Sequence, residues 1–246
     1  MDQAVAELSA EVEELERFLD GLRSEQWLQP TPAGGWDVRD QVSHLADTNE
    51  ICFDMLTGGP RDLNAEALAA ESPDAFTASG VERGRVMSPE DVRTWWQQTA
   101  ARQSEALRAK DARDRVPWGL GMSARMMATA RLMEHWAHGL DIRMALGAGP
   151  NVTPRLRSIA LLVVKAVPYA LTVSKVQQPP GTLRAELTYD DELWRIGPDD
   201  ADNVITGDAI EFCMLGVQRT TRDRCPSLDI KGDLADLALD NLRAYL

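Results

Sequence analysis

Two stretches of the chain hold residues whose types and spacing suit chemistry. One runs Arg131-Leu132-Met133-Glu134-His135-Trp136-Ala137-His138-Gly139-Leu140-Asp141, and the other runs Gly35-Trp36-Asp37-Val38-Arg39-Asp40-Gln41-Val42-Ser43-His44-Leu45. On a helix, residues three and four apart lie on one face, so Glu134, His138 and Asp141 share a flank. His135 falls nearly opposite the apolar stripe of Met126, Ala130, Met133, Ala137, Leu140 and Met144, so Glu134 is the member of that adjacent pair expected to reach a cavity. Divalent ions such as zinc accept imidazole nitrogen and carboxylate oxygen, and catalytic sites commonly combine three protein ligands with an open position. His44, Glu134 and His138 supply that set. Asp141 is placed to orient a ligand imidazole or a bound water. An open position lowers the pKa of a water or thiol and creates a nucleophile at neutral pH. Spacing alone also suits a weak surface Glu-His pair and a structural histidine.

The helices that must position these residues are readable. Asp37 can cap a helix running to about Gly58, with Val38, Val42, Leu45, Cys52, Phe53 and Leu56 as its apolar stripe. His44 lies off that stripe, in a row with Thr48, Ile51 and Met55, so it faces a second helix or a cavity. The Glu134 stretch lies within a helix from Ser123 to about Leu146, ended by Gly147 and Gly149.

Three further helices are expected. Val5, Leu8, Val12, Leu15, Leu19 and Leu22 mark an amphipathic first helix, and Ser88-Pro89-Glu90-Asp91 starts another that reaches about Lys110 through Val92, Trp95, Trp96 and Leu107. Its tryptophans read as core residues. A nearly apolar helix from Thr153-Pro154 to Ala170 should be buried, and residues 59–87 read as a loop with a short helix near 64–70. Residues 113–121 read as a connection.

After about Leu171 the pattern changes. Residues 183–189 and 192–196 alternate as strands do, then come Val204-Ile205-Thr206, a helix from Ala209 to Arg219, a short strand at 228–230 and a helix from Leu234 to Leu246. The boundary falls between about Leu171 and Gly181. The expected fold is mainly α with α+β: a four-helix bundle with a linking helix over residues 1–172, then a small α+β domain over residues 173–246.

The chain has 246 residues and a formal charge of -13, which argues against an electrostatic grip on nucleic acid or anionic lipid. No apolar run approaches a membrane span and the start is no signal peptide, so a soluble cytoplasmic protein is expected. Cys52, Cys213 and Cys225 form no Cys-x-x-Cys pair and read as free thiols, with Cys52 in the core. There is no His-Glu-x-x-His, no P-loop, no Gly-x-Gly-x-x-Gly after a strand and no Gly-x-Ser-x-Gly elbow.

Taken together, Gly35-Trp36, Asp40 and His44-Leu45, followed by Glu134, His138 and Asp141, resemble the DinB-like metal-binding superfamily. Within it they are most similar to the mycothiol-dependent maleylpyruvate isomerase branch. That resemblance implies a metal held by His44, Glu134 and His138, a DinB-like bundle, and a C-terminal domain related to sterol-carrier-like folds. It also implies a C-terminal arginine that helps to bind an anionic substrate or the thiol. The family's Gly-Arg pair at a helix end is here separated by Val217-Gln218, so the arginine maps to Arg219, with Arg222 as the alternative.

The function so implied is a metal-dependent enzyme acting on a small electrophilic substrate through a low-molecular-weight thiol, mycothiol in the family context. The chemistry is isomerisation or S-transfer, with a zinc, nickel or other divalent ion as cofactor. Asp141 would orient a ligand and Arg219 would hold a carboxylate. The resemblance also allows a homodimer. The alternative is a non-catalytic protein of the same fold that binds a metal structurally or holds an apolar ligand.

Overall fold

Leucine and valine at three- and four-residue steps produce helix α1 (Asp2–Asp20), which buries Val5, Leu8, Leu15 and Leu19 along one stripe. The computed structural model describes residues 1–119 and 121–244. A short 3-10 turn, Ser24–Leu28, then brings Trp27 inward. Helix α2 (Val38–Thr57) begins with a reciprocal cap: Asp37 accepts from the Asp40 backbone N–H, and the Asp40 carboxylate accepts from the Asp37 N–H. It ends at Gly58 in the left-handed conformation that glycine tolerates (φ 77°).

Helices α3 (Leu63–Ala69), α4 (Pro73–Arg85) and α5 (Pro89–Arg108) follow. A small antiparallel ribbon of β1 (Arg115–Val116) and β2 (Met122–Ser123) then leads into α6 (Ala124–Ala145). Among these, α1, α2, α5 and α6 pack as the expected four-helix bundle. Leu15, Leu19, Val42, Leu45, Trp96 and Ile142 are among its core residues.

The segment 59–87 departs from its reading as a loop with one short helix. The short helix is present as α3, but α4 is a second and longer one. Its start carries the same Ser-Pro signal as Ser88-Pro89, and Ser72 accepts from the Ala75 N–H as a cap. It went unread because it has no apolar stripe. Instead α4 meets α2 through glycines one turn apart: a Cβ on Gly80 would stand 2.5 Å from Asp47 Cβ, and one on Gly84 would overlap the Ser43 hydroxyl.

Asn151 ends the first compact unit, and Val152 to Leu246 form the second. The division therefore falls before helix α7 (Leu156–Val173) and not near residue 172. Composition showed that α7 needs cover without showing which neighbour supplies it. The cover comes from α8 (Ala209–Gly216) and α9 (Asp233–Asn241), where a Cβ on Gly216 would stand 2.5 Å from Val163 Cγ2. By length and composition α7 also qualifies as a membrane-spanning segment, with mean hydropathy 1.6 over 18 residues. The expectation that no run comes near a span is corrected on that point; Arg157 and Lys165 had broken up the pattern.

The second unit's sheet contains β3 (Leu183–Tyr189), β4 (Glu192–Ile196), β5 (Asn203–Asp208) and β6 (Asp229–Lys231), in the order β4-β3-β5-β6. The β3–β4 and β5–β6 pairs are antiparallel, and β3–β5 is parallel with Ala185 opposite Ile205. Asp208 caps α8 by accepting from the Ile210 and Glu211 N–H groups.

Helix α8 closes with paired hydrogen bonds, Gln218 N–H to Leu215 O at 3.0 Å and Arg219 N–H to Met214 O at 2.9 Å. In this arrangement Gln218 takes the left-handed position (φ 55°) usually filled by glycine. Helix α9 stops at Asn241, short of the expected end at 246, because Leu242 turns inward and the Ala244 N–H bonds to Gly216 O at 2.9 Å. Residues 245 and 246 lie outside the described residues.

Two stability changes follow from these contacts. Gly84→Val should lower the denaturant midpoint, costing about 1–3 kcal/mol, because the α2–α4 approach has no room for a branched side chain. Gln218→Gly should raise stability by roughly 0.5–1 kcal/mol by removing left-handed strain, measured in the same titration.

Candidate metal centre

Helix α2 carries His44, and α6 carries Glu134 and His138 four residues apart. One donor atom from each lies within 4.8 Å of the others. His44 Nε2 stands 3.8 Å from Glu134 Oε2, and the two imidazole centroids are 4.7 Å apart at an angle of 54°. Three donors at about 2.1 Å from one ion stand about 3.4 Å from each other, so the cluster needs only a small contraction to close on a cation. The donor chemistry, two imidazole nitrogens and one carboxylate, suits zinc and related divalent ions.

Glu134 is held from behind by Arg131, one turn earlier on α6. Arg131 is fully buried, and its Nη1 lies 3.0 Å from Glu134 Oε2, although without hydrogen-bond alignment. Its remaining donors are matched by neutral acceptors on facing helices: Thr48 Oγ1 and Asn49 Oδ1 at 2.9 Å, and Gln103 Oε1 at 3.2 Å. Thr48 donates in turn to the His44 carbonyl at 2.8 Å, tying the guanidinium to the backbone of a presumptive ligand's own turn. Burial on its own would raise the Glu134 pKa. The charge of Arg131 and the contacts with His44 and His138 outweigh it and hold the carboxyl well below the usual carboxylate range.

His135 does not join the cluster, as its helical phase indicated. It is nevertheless fully buried, because α6 is enclosed on nearly all sides. Its Nδ1 lies 2.7 Å from Arg131 O, which can only accept, and its Nε2 lies 3.3 Å from Trp96 Nε1, which can only donate. The ring is therefore neutral with its proton on Nδ1. Burial first, then the neighbouring Arg131 charge, lowers its pKa to about 3.

Asp141 is buried beneath His138, but its Oδ2 stands 4.0 Å from His138 Nδ1, too far for a hydrogen bond. Gln41 takes the orienting position instead: its Oε1 lies 2.5 Å from His138 Nδ1. The sequence reading missed Gln41 because a glutamine one turn before a ligand histidine has no motif of its own.

Trp36 packs over both imidazoles, with ring centroids 5.2 Å from His44 and 6.2 Å from His138. Asp40, the acidic residue between Trp36 and His44 in the motif, positions this loop. Besides capping α2, its buried carboxylate binds Arg85 at 2.7 Å, and Arg85 also donates to Gly35 O at 2.8 Å. Leu28, Pro30, Gly35, Trp36, Asp37, Asp40 and Arg85 border an open groove of about 380 Å³.

The remaining expected residues lie in the second unit. Arg219 is half-buried and its Nη1 donates to Val217 O at 2.9 Å. Arg222 binds Asp240 at 2.6 Å and Asp236 at 2.8 Å. All three cysteines are free and buried; burial pushes the Cys52 thiol up to about 12, which suits the expected core role.

Comparisons with known proteins converge on one family. The family described as mycothiol maleylpyruvate isomerase N-terminal domain matches residues 8–143. Proteins from two strains of Mycobacterium tuberculosis, both described only as uncharacterised, are 38% identical over 217 residues, covering 87% of this chain and 84% of their own. The crystal structure of the mycothiol-dependent maleylpyruvate isomerase matches with a TM-score of 0.63 at 15% identity, covering 93% of this chain and 92% of that one. A histidine-to-alanine mutant of that enzyme matches with the same TM-score and coverage at 14% identity. At such identities the likeness shows the fold: a helical bundle followed by an α+β unit.

The buried neutral His135 makes a pH-dependent prediction. Its folded pKa of about 3 lies below the unfolded value of 6.5, so the unfolded chain binds the extra proton first. The stability it contributes is whole above pH 6.5 and is lost as pH falls towards 3, by slightly more than about 1 kcal/mol per pH unit. Urea titrations at pH 7, 6 and 5 should show that slope in the native protein and a flatter one in His135→Gln.

Proposed function

Because the chain belongs to the mycothiol maleylpyruvate isomerase family, we propose that it is a metal- and thiol-dependent enzyme that isomerises, or transfers sulfur to, a small electrophilic substrate. The observation that carries this reading is the convergence of His44, Glu134 and His138. Among the described residues this is the one such donor group, and it has three members. A structural zinc site normally takes four protein ligands, whereas three leave a position for chemistry.

A divalent ion on these ligands, zinc first with nickel or another ion as alternatives, together with a low-molecular-weight thiol such as mycothiol, would supply a thiolate whose addition and elimination is isomerisation and whose displacement of a leaving group is S-transfer. The chain's own residues prepare the site. Arg131 keeps Glu134 ionised and in place, and Gln41 orients His138. Trp36 shields both imidazoles from bulk water. Asp141 adds a negative charge beneath His138 without bonding to its Nδ1.

Arg219 is the guanidinium we assign to a substrate or thiol carboxylate. Arg222 is less suited, because its fork is already committed to Asp236 and Asp240. The conformation of Gln218 also favours Arg219. Since Gln218 occupies the left-handed position of a helix-end glycine, we match Gln218-Arg219 to the family's Gly-Arg pair. We place the enzyme in the cytoplasm, acting on small molecules.

Elemental analysis of protein purified without a histidine tag should find about one divalent ion per chain, and neither His44→Ala nor Glu134→Ala should retain it. Thiol-dependent turnover of maleylpyruvate, or of another small electrophile, should fall to background in both variants and after chelation. Undiminished turnover by metal-stripped protein would overturn the proposal. Metal and thiol binding without turnover of any electrophile would leave a binding protein. Arg219→Ala should lower kcat/KM roughly 10- to 100-fold for an anionic substrate, and Arg222→Ala should change it little.

A further inference from the structure

We propose that Thr31 and Gln41 form a positioning relay that sets the tautomer of His138, keeping its proton on Nδ1 and its Nε2 lone pair directed to the His44–Glu134 cluster. The inference rests on the reading of His138 as a metal ligand and goes beyond it by naming what prepares that ligand.

The hydrogen bonds run in the direction that keeps the largest number of them. The Trp36 carbonyl can only accept, and it lies 3.0 Å from Thr31 Oγ1 and 2.8 Å from Thr31 N. The hydroxyl proton of Thr31 makes the second of these bonds to Trp36 O, which leaves Oγ1 as an acceptor towards Gln41. Gln41 is completely buried, and the amide atom it turns towards Thr31, at 2.9 Å, must then be the donor Nε2. That orientation points Oε1 at His138 Nδ1, 2.5 Å away, and an amide oxygen can only accept. The proton must therefore reside on Nδ1, leaving Nε2 unprotonated.

The opposite amide orientation would set an N–H against His138 and an oxygen against Thr31. The hydroxyl would then have to turn away from Trp36 O. Trp36 O would keep the Thr31 N–H but lose the hydroxyl bond, a net loss of about 0.5–1.5 kcal/mol that favours the Nδ1 tautomer. A comparable device acts three residues away, where Arg131 O and Trp96 Nε1 impose the same tautomer on His135. There the Nε2 lone pair is consumed by Trp96. In His138 the relay engages Nδ1 and leaves Nε2 unprotonated, the form a ligand nitrogen takes.

The relay also ties the ligand to the loop that covers it, since the carbonyl at its far end belongs to Trp36, whose ring packs on His138. Hydrogen bonds to the second nitrogen of a ligand histidine commonly contribute 10- to 100-fold to metal affinity.

The test uses the full-length protein stripped of metal. Long-range ¹H–¹⁵N spectra of the histidine rings should show His138 protonated on Nδ1 in the native protein and in Gln41→Glu, whose carboxylate still accepts from Nδ1. In Gln41→Leu the tautomers should mix, and zinc affinity, measured by competition with a chromophoric chelator, should weaken about 10- to 100-fold. Gln41→Glu should restore affinity to within a few-fold of the native protein. Thr31→Val, which frees the amide to turn, should weaken zinc binding less than Gln41→Leu does and serves as the second variant if the leucine protein does not fold. Nε2 protonation in native apo protein, or native zinc affinity and a pure Nδ1 tautomer in Gln41→Leu, would overturn the relay. Failure of the native protein to bind zinc while His138 shows the expected tautomer would overturn the metal reading and still support the relay.

Discussion

The first unit depends on keeping a guanidinium and a carboxylate together out of water. Arg131 is wholly buried beside Glu134. Taking such charges from water costs several kcal/mol per ion, and proximity alone does not recover it. The bundle offsets that cost with neutral acceptors placed around the guanidinium: Thr48 and Asn49 from α2, and Gln103 from α5. Three helices of the bundle are thereby tied to one side chain. The arrangement also fixes the ionised state of Glu134, which is the form a cation requires. A pair that would be weak evidence for stability makes better sense as the means of presenting a carboxylate, deprotonated and in one rotamer, to two imidazoles.

The same logic extends outward from the two histidines. His44 is coupled to Arg131 through Thr48, and His138 is coupled to the Trp36 loop through Gln41 and Thr31. The loop is itself held by Asp40, which caps α2 and grips Arg85 at the end of α4. The Gly-Trp-x-x-x-Asp-x-x-x-His pattern is thus a mechanical unit. The acid fixes the start of the helix and the loop before it, so that an aromatic ring and an imidazole, each four residues from the acid, meet over the same cluster. Helix α4 delivers Arg85 only because Gly80 and Gly84 let it lie close against α2.

Helical phase was sufficient to separate Glu134 from His135 and to place His138 and Asp141 beside it, since those relations lie within one helix. It also recovered the four bundle helices, and two-residue alternation recovered β3 and β4 of the second unit. What could not be read were properties that depend on partners from elsewhere. Burial of His135 arises from Trp96 on another helix, and Gln41 supplants Asp141 as the acceptor for His138 Nδ1 through a distance that no spacing rule contains. Helix α4 lacked the apolar stripe by which helices are recognised, although its Ser72-Pro73 start was visible. The allocation of α7 to the second unit turned on a neighbour more than forty residues later in the chain. Gln218 shows the limit from the other direction: nothing in its identity marks the left-handed helix-end position that it occupies.

The two units divide the chemistry unequally. Every candidate metal donor, and every side chain found to orient or ionise one, lies between Thr31 and Asp141, inside the unit that ends at Asn151. The matched family domain, residues 8–143, covers that same range. In the second unit Arg219 lies at a helix end with its Nη1 donating to Val217 O, while Arg222 binds Asp236 and Asp240. The geometry of the candidate centre is thus over-determined from within one unit, by hydrogen bonds that reach it from α2, α5 and the Trp36 loop.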